Sequence, residues 1–345
     1  MPLHYHTGAL SEHHLVRRAA GLFDISHMGR LELRGADAAG ALDYLVTSDI
    51  LGLSEGLSAY GLLCREDGTT IDDVFVYRFP DRFLVVVNAA NRDRDVAWIR
   101  DKLAGLDGDT QFADRSEELS MIALQGPDAL RIADGLSDGA AGRMPRFGCE
   151  VISIGGISAI CGRTGYTGED GVELFPEAGD VEPLWNACFE YAEKNSVELG
   201  PCGLAARDSL RFEPGFHLYG HELTDDTTPV EARLKWACHF DRPFVGRDAI
   251  LARAEEGPKR RLATVVMEDR AVPREGYRVL DDQGQPVGEV VSGMYAPTAD
   301  CYAANIYVER GLSKVGSTVG IDVRGREKRA KVIKRPLYTP SYKGE

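Results

Sequence analysis

Two adjacent carboxylates interrupt an apolar stretch of the chain. Asp72 and Asp73 stand within residues 71–79, whose apolar and β-branched composition indicates a β-strand. Because successive side chains of a strand point to opposite faces, one of the two carboxylates should face inward. A buried carboxylate is costly unless it is hydrogen-bonded or paired. An inward aspartate is therefore a candidate functional group, and a side chain that caps a neighbouring turn is the structural alternative.

A glycine-rich segment in the middle of the chain also presents polar groups. Gly165, Gly168 and Gly171 are spaced three residues apart, which matches neither the dinucleotide-binding fingerprint nor the lysine-containing phosphate loop. The pattern predicts a tight loop that enters a strand and carries Glu169 and Asp170 at its rim. On the local pattern alone, solvation of these two carboxylates is the favoured interpretation.

A single arginine lies on the apolar face of a predicted helix. Arg207 is three residues from both Leu204 and Leu210, so the three side chains share one face of that helix. An arginine on such a face needs an anion. A structural aspartate and a ligand carboxylate would both serve, and the local pattern does not choose between them.

The histidines of the chain do not form a recognisable metal motif. His217 and His221 are four residues apart, but Gly220 lies between them and no glutamate does. We therefore predict that this segment is a loop and that the chain has no metal site.

The composition is that of a globular protein with an excess of acidic residues. The 345 residues are 43% hydrophobic and carry a formal net charge of −14, so nucleic acid is not expected as a partner. No run approaches the ~18 apolar residues of a membrane-spanning helix, and we expect no membrane association. The chain start lacks a leader pattern and the seven cysteines lack a Cys-x-x-Cys pair, which predicts a cytoplasmic protein with reduced thiols.

The candidate residues lie on a mixed pattern of helices and strands. Residues 60–87 predict an antiparallel meander of three strands, with turns at residues 67–68 and 80–81. A helical spacing of Val96, Ile99 and Leu103 follows the meander. After residue 242 short β-like runs dominate, which predicts a C-terminal β-barrel.

A chain of this length exceeds what one hydrophobic core usually supports. We predict an α+β protein of three domains. A discontinuous α+β domain takes residues 1–49 and 114–240, an α+β meander domain takes residues 50–113, and the β-barrel takes residues 241–345.

Several segments, taken in chain order, form a recognisable set. They are residues 12–29 (ending Gly-Leu-Phe-Asp-Ile-Ser-His-Met-Gly), 67–73 (Asp-Gly-Thr-Thr-Ile-Asp-Asp), 163–173, 203–215, 218–220 (Leu-Tyr-Gly) and 228–231 (Thr-Pro-Val-Glu). Together they resemble the aminomethyltransferase (T-protein) family of the glycine cleavage system, and the similarity extends over residues 5–340. The resemblance implies a three-domain cloverleaf around a central folate site.

The resemblance also implies a set of site residues. Asp73, the second aspartate of the pair, corresponds to the family's catalytic acid, and Tyr60 corresponds to a tyrosine that lines the pterin pocket. Glu173 corresponds to the glutamate that pairs with the amino-pyrimidine edge of the pterin, whose N–H donors suit a carboxylate. The other residues implied to bind tetrahydrofolate are Met28, Asn88, Ala90, Arg207, Tyr219 and Trp236.

The activity implied by the resemblance is a tetrahydrofolate-dependent aminomethyl transfer. A one-carbon unit would move from the aminomethyl-lipoyl arm of a partner, the lipoylated H-protein, to tetrahydrofolate, with release of ammonia. One alternative with the same fold is a demethylase of a small methylated sulfonium, amine or ether, and the retained Asp73 favours the transferase. A second alternative is a non-catalytic folate-binding module of the iron–sulfur assembly type, whose signature cysteine is absent here.

One position departs from the family pattern. Thr69 follows Gly68 where the family usually has paired glycines. We expect that a side chain near the folate entrance could alter the choice of donor.

Overall fold

The computed structural model describes residues 2–339, which form three β-sheets with helices packed against two of them. The helices are α1 (Ala9–Arg18), α2 (Ala38–Leu45), α3 (Arg92–Ala104), α4 (Ala129–Leu136), α5 (Ala140–Arg143), α6 (Val181–Lys194), α7 (Leu204–Phe212) and α8 (Arg247–Glu256). In this part of the chain no helix has the length and apolar character needed to cross a membrane.

The strands fall into two groups along the chain. Those before residue 202 are β1 (Ala20–Asp24), β2 (Gly29–Arg34), β3 (Ser58–Cys64), β4 (Thr70–Arg78), β5 (Phe83–Val87), β6 (Gln111–Asp114), β7 (Ile122–Gln125), β8 (Cys149–Ile154), β9 (Ile157–Gly162), β10 (Gly171–Pro176) and β11 (Leu199–Pro201). Those after residue 259 are β12 (Arg260–Met267), β13 (Arg278–Leu280), β14 (Pro286–Ala296), β15 (Cys301–Glu309), β16 (Thr318–Val323) and β17 (Arg326–Ile333).

The first sheet has six strands in the order β11-β1-β7-β10-β9-β8. Its strands pair in antiparallel fashion except for β1 and β11, which are parallel. Apolar side chains of α4 and α6, such as Ile132 and Leu184, cover one face of this sheet. The buried residues of α4 recur at spacings of three and four and those of α6 at a spacing of four, as an amphipathic helix on a sheet requires.

The second sheet has five strands in the order β3-β4-β5-β2-β6. Its middle strand β5 reads Phe-Leu-Val-Val-Val and all five residues are buried, because both faces of the strand are covered. Helices α2 and α3 cover one face, where Leu42 and Ile99 join the core.

The two sheets pack face to face through a shared core. Phe23 and Phe175 from the first sheet and Tyr77 and Leu84 from the second belong to one buried cluster, which also takes in Leu210 of α7. The layers therefore run helix, sheet, sheet, helix. Any side chain that points into the central layer can meet a partner from the opposite sheet.

The third sheet closes on itself as a barrel with the order β12-β15-β14-β13-β16-β17. Pairing of β12 with β17 completes the ring. Alternate residues of each strand fill its interior, as Ala263, Val265 and Met267 do on β12. The predicted α+β class with a C-terminal β-barrel is confirmed, and so is the three-stranded meander.

The sheets bear on one part of the predicted domain division. Strand β2 and helix α2 fall within residues 1–49, which we assigned to the first domain. In the structure β2 pairs with β5 and β6, and α2 packs on the second sheet. The division as a whole stays a prediction.

A buried ion pair connects α7 to the barrel. The guanidinium of Arg211 lies 2.8 Å from the carboxylate of Glu222, and the two side chains are 1% and 0% exposed. Glu222 also accepts a hydrogen bond from Asn305 at 2.7 Å and one from Ser292. Burial alone would raise the pKa of Glu222, but Arg211 and these donors outweigh it and hold the pKa at about 2.

We predict that Glu222→Ala lowers the free energy of unfolding by about 3–5 kcal/mol, because it leaves the buried Arg211 with only the more exposed Asp208 as an ion-pair partner. Urea denaturation near pH 7 measures this loss. The control is Glu268→Ala, which removes an exposed barrel carboxylate 3.8 Å from Arg329 and should cost no more than about 1 kcal/mol. Equal losses of stability in the two variants would contradict the conclusion that Glu222 connects α7 to the barrel.

Candidate active site

The pleat of β4 sends Asp72 and Asp73 to opposite sides of the second sheet. Asp73 shares its face with Phe75 and Tyr77, which belong to the core between the two sheets. Asp72 shares the other face with Val74, which belongs to the core under α3. The predicted alternation is confirmed, and it gives the two carboxylates different surroundings. Asp72 is 0% exposed, whereas Asp73 is half-buried.

Asp73 is held by two side chains of the neighbouring strands. Tyr60 on β3 donates its hydroxyl to Asp73 at 2.9 Å, as a diagonal cross-strand neighbour on the same face. Asn88, the residue after β5, donates its amide N–H to the other oxygen at 2.7 Å. The meander therefore brings together three of the residues implied by the sequence.

Asn88 also holds Asp72. Its side-chain amide donates to Asp72 at 2.8 Å and its backbone N–H donates at the same distance. Asn91, just before α3, adds a third donor at 2.6 Å. One asparagine thus ties together two carboxylates on opposite faces of the strand, so Asp72 is part of the support of Asp73.

The surroundings tune the acidity of Asp73. Burial is the largest cause and the negative charge of Asp72 the next, and together they raise the pKa of Asp73 to about 7, although Tyr60 and Asn88 oppose the shift. An acid with a pKa near neutrality can take up and return a proton under ordinary conditions. The geometry gives Asp73 the properties of a general acid–base residue.

A second carboxylate, that of Glu173 on β10, faces β4 across the central layer. Tyr77 donates to its Oε2 atom at 2.9 Å and Thr164 donates to the same atom at 2.5 Å. Tyr77 reaches it because Gly162 has no side chain: a Cβ there would lie 2.4 Å from the tyrosine ring. Within residues 2–339, neither of these bonds uses Oε1, which is left without a donor.

Arg207 on α7 completes this half of the site. Its guanidinium lies 4.7 Å from the ring centre of Tyr166, at the distance of a cation–π contact, and it senses the charge of Glu173. Burial lowers the pKa of Arg207. Its neighbour Asp208 pairs with Arg211 instead, so no aspartate of the described chain takes the role of structural partner to Arg207.

The four other implied residues have different surroundings. Met28 packs on the central core together with Phe75. Tyr219 packs in one cluster with Tyr60 and donates to Asp225 at 3.0 Å. Trp236 is 68% exposed and stacks on the Tyr60 ring at 5.7 Å. Ala90 is an exposed turn residue between β5 and α3.

Three residues near the site were not singled out from the sequence. Tyr77 and Thr164 hold Glu173, and Tyr166 lies under Arg207. The period of two along β4 places Tyr77 on the face of Asp73, so this signal was present in the pattern. The other two residues lie in the glycine-rich segment.

The interpretation of Glu169 and Asp170 as solvated loop residues is wrong. Glu169 is 6% exposed and pairs with Arg17 of α1 at 2.8 Å. Asp170 pairs with Arg163 at 2.7 Å. Two ion pairs therefore fix the glycine loop.

Thr69, the departure from the family pattern, lies in the β3–β4 turn. Its backbone N–H and its hydroxyl both donate to Asp67, at 2.9 and 2.7 Å. The preceding Gly68 has a φ of 82°, which glycine adopts without strain. The Thr69 side chain thus stabilises its own turn.

Comparisons with known proteins agree with this fold along nearly the whole chain. Residues 1–242 match the family model of the GCVT N-terminal domain, and residues 260–339 match that of the glycine cleavage T-protein C-terminal barrel domain. The chain belongs to the glycine cleavage T-protein family. An aminomethyltransferase of Herpetosiphon aurantiacus is 41% identical over 345 residues, covering 99% of this chain and 93% of that protein. One of Shouchella clausii is 42% identical, covering 96% and 90%.

A solved structure supports the same assignment to the T-protein family. The glycine cleavage system aminomethyltransferase T from Bartonella henselae superposes with a TM-score of 0.91 at 31% identity, covering 98% of this chain and 92% of that one. The resemblance inferred from the ordered motifs is therefore confirmed, as is the prediction that the chain is an enzyme of the transferase class. The roles of individual T-protein site residues stay predictions.

Proposed function

We propose that this T-protein family member transfers the aminomethyl group carried by the lipoyl arm of the H-protein to tetrahydrofolate and releases ammonia. Relatives that cover nearly the whole chain are named aminomethyltransferases. The geometry adds a binding carboxylate and a titratable acid on facing sheets. Both lie in the central layer between the sheets.

The observation that carries the proposal is the half-satisfied carboxylate of Glu173. Tyr77 and Thr164 fix its Oε2 atom, while Oε1 has no donor from residues 2–339. Glu173 is 7% exposed, and its Oε1 atom can accept an N–H from a ligand. The amino-pyrimidine edge of a pterin offers such N–H groups. The residues present fit tetrahydrofolate.

Arg207 supplies the opposite charge in the same half of the site. Within the described chain its contact is the ring of Tyr166, and no carboxylate lies within ion-pair distance. A half-buried guanidinium without a counter-ion favours an anionic ligand group. Tetrahydrofolate carries carboxylates in its glutamate tail, and we assign their recognition to Arg207.

Tetrahydrofolate supplies the ring nitrogens that accept the one-carbon unit. The chain's contribution to that step is Asp73. As a carboxylate it accepts the N–H proton of the attacking nitrogen, and it is placed to do so by Tyr60 and Asn88. Its pKa of about 7 keeps both protonation states accessible.

The direct test supplies the purified protein with tetrahydrofolate and aminomethylated H-protein. We expect methylenetetrahydrofolate and ammonia in equal amounts. Formation of methyltetrahydrofolate from a small methylated sulfonium, amine or ether, with no reaction of the H-protein, would replace the transferase by a demethylase.

We predict that Glu173→Gln weakens tetrahydrofolate binding by about 1.5–3 kcal/mol, because it removes a charge-assisted hydrogen bond. Isothermal titration calorimetry measures the change in Kd. The control is Glu177→Gln, an exposed residue just past the end of β10, which should leave Kd unchanged. Equal affinities of wild type and Glu173→Gln for tetrahydrofolate would contradict the proposal that Glu173 binds the pterin.

We predict that Asp73→Asn lowers turnover by about 10²–10⁴-fold and leaves most of the folate affinity. In the wild type, kcat/KM should rise as the pH passes through about 7, because the ionised form of Asp73 is the active one. That acidic limb should disappear in the variant. Retention of the limb, or turnover within about threefold of wild type in an assay limited by chemistry, would assign the proton transfer to another group.

A further inference from the structure

A third carboxylic acid lies behind the pair on β4. Asp95 is in the first turn of α3 and is 0% exposed. Asn91, one helical turn before it, donates to Asp72 at 2.6 Å, so this face of α3 lies against the carboxylate of Asp72, with which the carboxyl group of Asp95 interacts. Within residues 2–339, no N–H or O–H group donates to either oxygen of Asp95.

The hydrogen bonds around these acids decide where a proton must sit. Burial raises the pKa of Asp72, but three N–H groups, two from Asn88 and one from Asn91, oppose the shift and favour its ionised form. Asp95 has no donor to compensate a charge of its own. Two carboxylates cannot donate to each other, so their contact is favourable only if one carries a proton. The acid that lacks donors is the one that keeps it.

We propose that Asp95 is a positioning residue that stays protonated and donates a hydrogen bond to Asp72, which fixes Asn88 and through it Asp73. The proposal rests on the proposed function insofar as it assigns catalysis to Asp73. The chain of contacts runs from α3 through both faces of β4 to the central layer. Because a protonated Asp95 is neutral, it also places no second negative charge beside Asp72.

The charged groups that face Asp95 are consistent with this assignment. They are Asp72 and Asp73 from β4 and Arg94 from its own helix. Burial first and the charge of Asp72 second raise the pKa of Asp95 to about 10, and Arg94 opposes the shift only in part. The guanidinium of Arg94 points instead to Asp225, at 2.8 Å.

A protonated Asp95 has a consequence for stability that needs no assay of turnover. An aspartate of the unfolded chain has lost its proton above about pH 5, while the folded state would retain it up to about pH 10. Between these limits the native state holds one proton more than the unfolded state, so Asp95 makes stability fall as the pH rises. Asp95→Asn keeps the shape and the donor but has no proton to lose.

The test is urea unfolding of wild type and Asp95→Asn at pH 6, 7 and 8. The ratio of their folding constants should move in favour of the variant by about tenfold per pH unit, or about 1.4 kcal/mol. Asp72 and Asp73 are present in both proteins, so the difference reports on Asp95. Asp93→Asn, on the exposed side of the same helical turn, is the control and should show a ratio independent of pH. A flat ratio for Asp95→Asn would overturn the proposal.

Two further readouts separate positioning from a merely structural role. If Asp95 is neutral, Asp95→Asn should leave the acidic limb of kcat/KM in place, whereas removal of a charge would shift it to lower pH. Asp95→Ala, which has no donor for Asp72, should lower kcat about tenfold or more with little change in the Kd of tetrahydrofolate. A shifted limb in the first variant, or an unchanged kcat in the second, would refute the proposal.

The stability test stands even if the chain proves to have another activity. If the transferase assay fails but the stability ratio still depends on pH, the proposed function is wrong and the assignment of a protonated Asp95 is retained. Should Asp95→Asn not fold, infrared spectroscopy of the wild type decides instead. A protonated-carboxyl band that persists at pH 8.5 is expected, and its absence would overturn the assignment.

Discussion

The cost of burying two neighbouring carboxylates in one strand governs the arrangement of this site. Asp72 and Asp73 stand in the interior of β4, where each needs hydrogen-bond donors that its own strand cannot supply. The amide of Asn88 meets this need on both faces of the strand at once. The β4–β5 register must therefore place the side chain of Asn88, which follows β5, beside both aspartates of β4. The two acids differ in burial: Asp72 is fully buried, whereas Asp73, which we propose is the catalytic acid, is half-buried.

Much of the fold followed from local pattern, and the exceptions have a common cause. The meander and the barrel strands were predictable because alternation and turn residues lie within a few positions of each other. The partners of strand β2 were not predictable from local pattern, because β5 and β6 are distant from it in the sequence. Glu169 was misinterpreted for the same reason, since its partner Arg17 is 152 residues away.

The candidate site shows the same division between local and distant information. Family motifs together with the strand period placed Tyr60, Asp73 and Asn88 side by side. The period could also have indicated that Tyr77 faces the same layer. No local pattern shows that Asp95 lies against Asp72, because that contact depends on which helix covers the sheet and on its rotation about its own axis. Helix propensity predicts that α3 forms, whereas packing against the second sheet determines which of its residues face that sheet.

The sequence separations of the site's contacts imply an order of assembly. Tyr60 and Asn88 reach Asp73 across 13 and 15 residues, whereas Tyr77 reaches Glu173 across 96. Short loops close at a lower entropic cost than long ones, so contacts within the meander can form before the two sheets have docked. Asp73 is therefore expected to have its hydrogen-bond partners early in folding, and Glu173, which we propose binds the ligand, gains the hydrogen bond of Tyr77 only when the two sheets have docked. On the proposed roles, a partly folded chain would hold Asp73, the catalytic acid, before Glu173 is in place to bind the substrate.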